Sequence, residues 1–157
     1  FSINNMIEKI LICNIGVNMK IGKDYIGVGV GAFILNEDNE LLLQKRAVPA
    51  EKDYWCIPGG RLELFETLEN AVIRETKEET DLDIEVVQMM GICDHIIKEE
   101  NAHWIATSYL CKIKSGEAKI MEPDKASDMK WFSINNLPNK LTITTKKALE
   151  DYKKLNK

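Results

Sequence analysis

The residues with the clearest chemical potential are three glutamates on one short stretch, Glu75, Glu78 and Glu79. Their spacing is i, i+3, i+4, so their carboxylates project from one face if the stretch is helical. Thr67 is a suitable N-cap, and no proline or glycine interrupts residues 68–80. The sequence therefore predicts a helix that carries a cluster of carboxylates.

The acidic face of this predicted helix is also its apolar face. At about 3.6 residues per turn, a single stripe carries Leu68, Ala71, Val72, Glu75, Glu79 and Leu82. Acid-rich helix turns are commonly solvated and paired with basic residues, but Lys77 points away from this stripe, and clustered acids repel one another. Mg²⁺ prefers oxygen ligands and suits phosphate substrates, so the spacing favours metal binding over a solvated face.

The stretch resembles the Nudix box, G-x5-E-x7-R-E-U-x-E-E-x-G-U, in which U is a bulky aliphatic residue. The matching residues are Gly60, Glu66, Arg74, Glu75, Glu78, Glu79 and Leu82. Thr76 replaces an aliphatic residue, as it does in some MutT-like nucleotide diphosphatases, and Asp81 replaces the second glycine. Because Asp tolerates the left-handed conformation better than most residues, we expect a modest stability cost there and no loss of catalysis.

The resemblance covers roughly residues 25–155 and implies an α/β fold, a Nudix-type α/β/α sandwich with a mixed β-sheet. The box helix would lie on one side of the sheet and the C-terminal helix on the other. Alternating strands with two strong helices fit that layout.

The resemblance also implies a metal cofactor, Mg²⁺ with Mn²⁺ as a substitute. Its ligands would be Glu75, Glu78 and Glu79, a backbone carbonyl of Gly60, and a glutamate from a later loop. Glu122 is the candidate in that loop, with Glu117 behind it. Glu79 is favoured as the catalytic base, with Glu78 and Glu122 left open. Arg74 is expected to pair with carboxylates such as Glu66 or Glu75 and so fix their direction.

Substrate contacts are expected from basic residues and histidines outside the box. In Nudix proteins the second strand ends in a basic residue near the substrate phosphates, and Arg46, beside Lys45, fills that place. The Gly59–Gly60 pair allows close approach of another group. His95 and His103 flank a turn that would border the base. The alternatives are that Arg46 and Lys45 lie at a solvated strand end and that the two histidines have structural roles only.

The resemblance further implies hydrolysis of a nucleoside diphosphate linked to another group, X. The residues near 96–98 include neither the Pro of ADP-ribose enzymes nor the Tyr of dinucleoside polyphosphate enzymes. The expected substrate is an NTP or dNTP, oxidised or otherwise modified forms included, cleaved to the monophosphate and pyrophosphate. ADP-ribose is the alternative substrate, and a non-catalytic nucleotide sensor is the alternative of another class.

Length, charge and cysteine usage limit the number of domains, the kinds of binding partner and the redox setting. A chain of 157 residues suits one domain, here residues 21–157, with residues 1–20 as an extension of uncertain role. The net charge of −4 argues against a nucleic-acid or membrane-binding protein. Four scattered cysteines predict free thiols and a cytoplasmic setting. Apolar residues of the extension could pack on the domain or on a second subunit, which would give a homodimer.

The remaining elements follow from periodicity and turn signals. Strands are predicted at residues 26–35, 40–46, 55–60, 84–90, 92–97 and 103–113. A final helix is predicted with Thr144 or Thr145 as its cap. The apolar stripe of that helix is Ala148, Leu149, Tyr152 and Leu155. Trp55 and Trp131 are expected to pack in the interior.

Overall fold

The computed structural model describes residues 19–156, in which four strands, a helix, three further strands and a second helix follow one another. The strands are β1 (Gly27–Ile34), β2 (Glu40–Arg46), β3 (Trp55–Cys56), β4 (Gly59–Arg61), β5 (Asp83–Ile97), β6 (Ala102–Ser115) and β7 (Ala126–Ser133). The helices are α1 (Leu68–Thr80) and α2 (Ile143–Leu155), and one 3₁₀ turn spans Lys98–Glu100.

The strands form two sheets. One is mixed, in the order β4-β1-β6-β5, with β1 parallel to β6 and antiparallel to β4. The other is antiparallel, in the order β3-β2-β7. The parallel pairing of β1 with β6 places a long segment, including α1, between two neighbouring strands, as crossover connections require.

Side chains alternate along β1 and β2, and this alternation divides the interior into two layers. Val30, Ala32 and Leu42 face a cluster that includes Ala71 and Val72 of α1. A second cluster joins β1 and β2 to α2, and its members include Phe33, Leu41, Leu43, Ala148 and Leu149. The two helices therefore cover opposite faces, and the predicted α/β/α sandwich is confirmed.

Helix α1 begins and ends where its sequence predicts. The Thr67 side chain accepts a hydrogen bond from the Asn70 backbone N–H, which caps the first turn. Asp81 takes the left-handed conformation (φ 60°) and its N–H bonds to the Lys77 carbonyl. The Asp81 carboxylate pairs with Lys77 at 2.9 Å and with Lys119 at 2.7 Å, and these cations lower its pKa to about 2.

The prediction of two strands at 84–90 and 92–97 is wrong, because one continuous strand, β5, runs through both. Register shifts between Val86 and Gln88 and between Met89 and Gly91 bend this strand without ending it. Gly91, at the second register shift, allows close packing against α2. A Cβ at Gly91 would lie 2.2 Å from the Asp151 carboxylate of α2.

The prediction that Thr144 or Thr145 caps the last helix is also wrong. The cap is Thr142, whose hydroxyl accepts the Thr145 N–H. Thr145 is buried, and its hydroxyl accepts the Ile57 N–H at 3.0 Å. Three threonines within four positions offer similar capping chemistry, and this tertiary bond decides which of them lies inside the helix.

The tryptophans pack as predicted. Trp55 meets Phe132 edge to face at 4.9 Å, and Trp131 packs against the α1 side of the interior. Cys56, Cys93 and Cys111 are free thiols, while Cys13 lies outside the described residues. Most of the predicted extension, residues 1–18, also lies outside them. No helix in residues 19–156 has the length and apolarity needed to cross a membrane.

Candidate active site

The three box glutamates differ in exposure. Glu75 and Glu79 are 8% and 7% exposed, whereas the Glu78 side chain is 52% exposed. Helix α1 thus turns two carboxylates toward β4 and the interior, as its apolar stripe predicts. Glu78 lies at the edge of the same surface, where solvent reaches it.

Arg74 ties this acidic surface together. Its Nε and Nη2 donate to the two oxygens of Glu66 at 2.8 and 2.9 Å, a bidentate pair. Its Nη1 donates to Glu75 at 2.9 Å and to Glu78 at 3.2 Å, and its Nη2 also donates to the Arg61 carbonyl at 3.0 Å. The pairing expected of Arg74 is therefore present, and one guanidinium nitrogen lies between two box carboxylates.

Glu79 is the most enclosed of the three acids. Burial raises the pKa of Glu79 to about 7, even though hydrogen bonds from the Gly59 N–H (2.9 Å) and the Gln44 amide (2.6 Å) favour its charged form. The nearby charges of Glu75 and Glu122 raise this pKa further. Both hydrogen bonds reach Oε2, so Oε1 keeps its capacity to accept a proton.

The two glycines of β4 allow this close arrangement. A Cβ at Gly60 would lie 2.2 Å from the Glu75 carboxylate. A Cβ at Gly59 would lie 2.1 Å from the Val30 carbonyl of β1. The missing side chains let the strand lie directly against both β1 and the acids of α1.

The arrangement fits a hard divalent cation. The side chains are oxygen donors of the kind that Mg²⁺ binds, and Glu122 Oε2 is buried without a hydrogen-bond partner. Buried carboxylates are costly to ionise, and a cation among them relieves that cost. In residues 19–156 no three acidic, histidine or cysteine side chains group closely enough to hold a metal ion. In this arrangement Arg74 pairs with both Glu75 and Glu78.

A cavity of about 500 Å³, here called the acid cavity, opens over these residues. It is lined by the acids Glu63, Glu75, Glu78 and Glu79 and by the cations Arg46, Arg61, Arg74 and Lys125, among others. Lys125 also pairs with Glu122 at 2.8 Å, although Glu122 itself is not among the residues that line either cavity. The acid cavity is therefore lined both by acidic side chains that can bind a cation and by basic side chains that can bind phosphate oxygens.

A second cavity of about 360 Å³, here called the sheet cavity, adjoins the first. Strands β1 and β6 supply part of its lining, including Val30, Trp104 and Ala106, and loop residues such as Pro49 and the polar side chains of Glu51 and His95 supply other parts. Both cavities share Arg46, Cys56, Gly59, Gly60 and Arg61. Burial raises the pKa of Cys56 to about 12, so this shared thiol stays protonated and does not act as a nucleophile.

The structure brings together some of the predicted substrate residues and not others. Arg46 lines both cavities, although its guanidinium donates to the carbonyls of Ala50 (2.7 Å) and Pro49 (3.4 Å). His95 lines the sheet cavity. Lys45 and His103 are not among the residues that line either cavity. Glu117 is exposed and also lies outside both.

Three residues that line these cavities were not predicted from the sequence as site residues. Gln44 reaches Glu79 from β2, and no local signal marks it within an apolar strand. Trp104 forms a wall of the sheet cavity, packed so closely that a Cβ at Gly22 or Gly27 would overlap its indole. Glu51 lies in the loop after β2. Gly22 and Gly27, which pack against the Trp104 ring, are the one signal that could have indicated a large side chain there.

Comparison with known proteins agrees with this geometry. The NUDIX domain family model matches residues 26–152. An ADP-ribose pyrophosphatase of Methanocaldococcus jannaschii is 36% identical over 119 residues, which are 76% of this chain and 69% of that protein. A Bacillus subtilis protein provisionally named an 8-oxo-dGTP diphosphatase is 30% identical, with 78% of each chain covered.

Solved structures agree as well. The crystal structure of a MutT NUDIX hydrolase from Burkholderia pseudomallei has a TM-score of 0.76 and 38% identity, and the match covers 80% of this chain and 96% of that one. Two further relatives of the sequence are much longer proteins, of which this chain spans 34% and 38%. The likeness therefore concerns the domain that contains both cavities.

Proposed function

The chain belongs to the Nudix family of hydrolases that act on nucleoside diphosphates linked to a group X, and from that premise we propose that its substrate is an NTP or dNTP. Hydrolysis would yield the monophosphate and pyrophosphate. The observation that carries this proposal is the junction of the two cavities at β4. A nucleotide that spans the junction puts its phosphates over the box acids and its nucleoside against β1 and β6.

The charge of the acid cavity supports a polyphosphate chain. Arg46, Arg61 and Lys125 line it beside the glutamates, and each is a donor for phosphate oxygens. A triphosphate carries more negative charge than the diphosphate linkage of ADP-ribose, and it would use more of these cations. Arg46 lines both cavities and would orient the phosphate next to the nucleoside.

Glu75, Glu78, Glu79 and Glu122 would hold Mg²⁺, which supplies charge neutralisation of the diphosphate and a lowered pKa of water. Arg74 holds the carboxylates of Glu66 and Glu75 in one direction, so it is a positioning residue for this set. Gly60 lets the Glu75 carboxylate lie directly against β4. These roles follow from the contacts of this chain's own residues.

Glu79 is our candidate for the general base. A general base needs an oxygen that is within reach of the water it deprotonates and free to take the proton. Its Oε2 is held by Gly59 and Gln44, so its direction is fixed, and Oε1 would take the proton from the attacking water. The water oxygen then bonds to phosphorus as the bond to the departing phosphate oxygen breaks. Glu78 and Glu122 remain the alternative bases.

ADP-ribose is the second candidate substrate. The Methanocaldococcus jannaschii relative named as an ADP-ribose pyrophosphatase is 36% identical to this chain. The two candidates require the same acids and the same bond cleavage, and they differ in the group that is attached to the diphosphate.

A cytoplasmic setting and a homodimer also stay predictions.

A substrate panel tests the proposal. Purified protein with Mg²⁺ is incubated separately with the four dNTPs, the NTPs, oxidised dGTP and ADP-ribose, and the products are separated by ion-exchange chromatography. We expect the highest kcat/KM for a triphosphate, with monophosphate and pyrophosphate as products. AMP and ribose phosphate as the dominant products would move the substrate to ADP-ribose. Tight nucleotide binding without turnover would identify a sensor instead.

A further inference from the structure

Within residues 19–156, the mixed sheet is only partly covered on the side that α1 packs against. Val30 of β1 and Tyr109 of β6 belong to the α1 cluster and mark that side. Side chains alternate along a strand, and directly paired residues of neighbouring strands share a side. Toward the start of β1 and β6 and the end of β5, the same side therefore carries Ile26, Val28, Ile92, Asp94, Ile96, His103 and Ile105.

This part of the sheet, here called the open face, is apolar and exposed. Ile26, Ile92 and Ile96 are 52%, 53% and 45% exposed, and Val28 and Ile105 are half-buried. A sheet face that meets water ordinarily carries polar side chains, and a contiguous apolar patch marks an interaction site. We therefore expect the open face to be covered by something outside residues 19–156.

The chain before β1 brings residues 1–18, here called the N-terminal segment, to one end of the open face. The Gly22 carbonyl accepts the His103 N–H at 2.8 Å, so the turn before β1 is bonded to β6 within the open face. A helix of 18 residues spans about 27 Å. The open face extends about 13 Å along β5 from Ile92 to Ile96. The N-terminal segment is therefore long enough to cross it.

The sequence of the N-terminal segment suits an apolar surface. Ten of its 18 residues are apolar, and only Glu8 and Lys9 are charged. Ile3, Ile7 and Ile10 are spaced i, i+4, i+7, which favours an amphipathic helix with one apolar stripe. Glu8 and Lys9 fall outside that stripe. An amphipathic helix of this kind is stabilised mainly by packing its apolar stripe against another surface.

We propose that the N-terminal segment packs on the open face of its own domain. Its apolar stripe would exclude water from Ile26, Ile92 and Ile96, as α1 does over the neighbouring part of the same side. The short connection holds the two surfaces at a millimolar effective concentration, which favours this contact over a second copy of the chain at micromolar concentration. The open face lies across the sheet from Cys93 and His95, which line the sheet cavity, so this contact goes beyond the proposed hydrolysis.

Trypsin tests the contact in the whole chain, because Lys9 is the one basic residue of the N-terminal segment. Cleavage after Lys9 under native conditions is followed by mass spectrometry, with a synthetic peptide of residues 1–18 as the unprotected reference. We expect wild type to be cut there about 10-fold or more slowly than the peptide, and Ile92→Ser/Ile96→Ser to restore most of the peptide rate. Ile143→Ser is the matched control with an expected wild-type rate, because Ile143 is 38% exposed on α2, which covers the opposite side.

A wild-type rate equal to that of the peptide would overturn the inference, and so would an unchanged rate in Ile92→Ser/Ile96→Ser. If that variant does not fold, Ile7→Ser replaces it, because this substitution leaves the strands of the domain intact and should also speed cleavage after Lys9. The protection should not depend on protein concentration. A dimer in sedimentation that dissociates in Ile92→Ser/Ile96→Ser, with Lys9 cut at the peptide rate, would assign the open face to a second copy and contradict the proposal.

Discussion

Substituting Gly60 by alanine perturbs the candidate site at one defined point. The added Cβ would lie 2.2 Å from Glu75 Oε2 and 2.5 Å from Oε1. To restore ordinary contact distance the carboxylate must retreat by about 1 Å. That retreat breaks its 2.9 Å hydrogen bond from Arg74 and moves a candidate metal ligand.

A displacement of about 1 Å at a catalytic centre costs roughly 100-fold in rate, equivalent to about 2.7 kcal/mol of activation free energy. Stability should change by only about 1 kcal/mol or less, since the Glu75 side chain is flexible and alanine fits the strand better than glycine does. Steady-state kcat with saturating Mg²⁺ and substrate measures the first effect. Thermal melting without nucleotide measures the second.

A double-mutant cycle separates this mechanism from general damage. If the alanine acts by pushing Glu75, then Gly60→Ala should add little to a Glu75→Ala variant, which has no carboxylate to displace. A Gly60→Ala protein with wild-type kcat would refute the reasoning. Additive losses in the double mutant would show that Gly60 acts independently of Glu75.

Four further outcomes are expected. Glu79→Gln should lower kcat by about 10²–10⁴-fold with an unchanged melting curve, and a near-wild-type rate would remove Glu79 as the base. Arg74→Lys should raise the Mg²⁺ concentration for half-maximal activity by about 10–100-fold, because lysine cannot hold Glu66 bidentately, and an unchanged Mg²⁺ titration would count against positioning. Thr145→Val should destabilise the fold by about 1–3 kcal/mol in urea unfolding, since it leaves the buried Ile57 N–H unpaired, and an unchanged midpoint would contradict that bond's importance. Chelation of divalent metal should abolish turnover, with recovery on adding Mg²⁺ or Mn²⁺, and persistent activity in chelator would contradict the metal requirement.

The helix of the acids could be predicted from sequence because its signals are local. Thr67 marks its start, the 3.6-residue period places Glu75 and Glu79 on the buried face, and Asp81 takes the left-handed position at its end. The strand order and the two-sided burial of β1 and β2 are also consistent with the family resemblance. Local residue pattern and spacing were therefore sufficient to predict the helix that bears the acids.

Other features depend on contacts between distant parts of the chain. Gln44 reaches Glu79 from 35 positions away, and no signal in its own strand marks that contact. The start of α2 depends on the bond between Thr145 and Ile57, which lie 88 positions apart. Glu51 reaches Ile143 across 92 positions, and nothing in its loop sequence indicates that contact. Such residues become visible only once the fold brings their partners together.

The central claim is metal-dependent cleavage within the phosphate chain of a nucleotide over the box acids. The most direct measurement is ³¹P NMR of a triphosphate, dGTP first, incubated with the protein and Mg²⁺, with Glu79→Gln in parallel. We predict that monophosphate and pyrophosphate signals grow together with wild type and are nearly absent with the variant. Release of inorganic phosphate and diphosphate nucleotide, or equal rates for both proteins, would contradict the account.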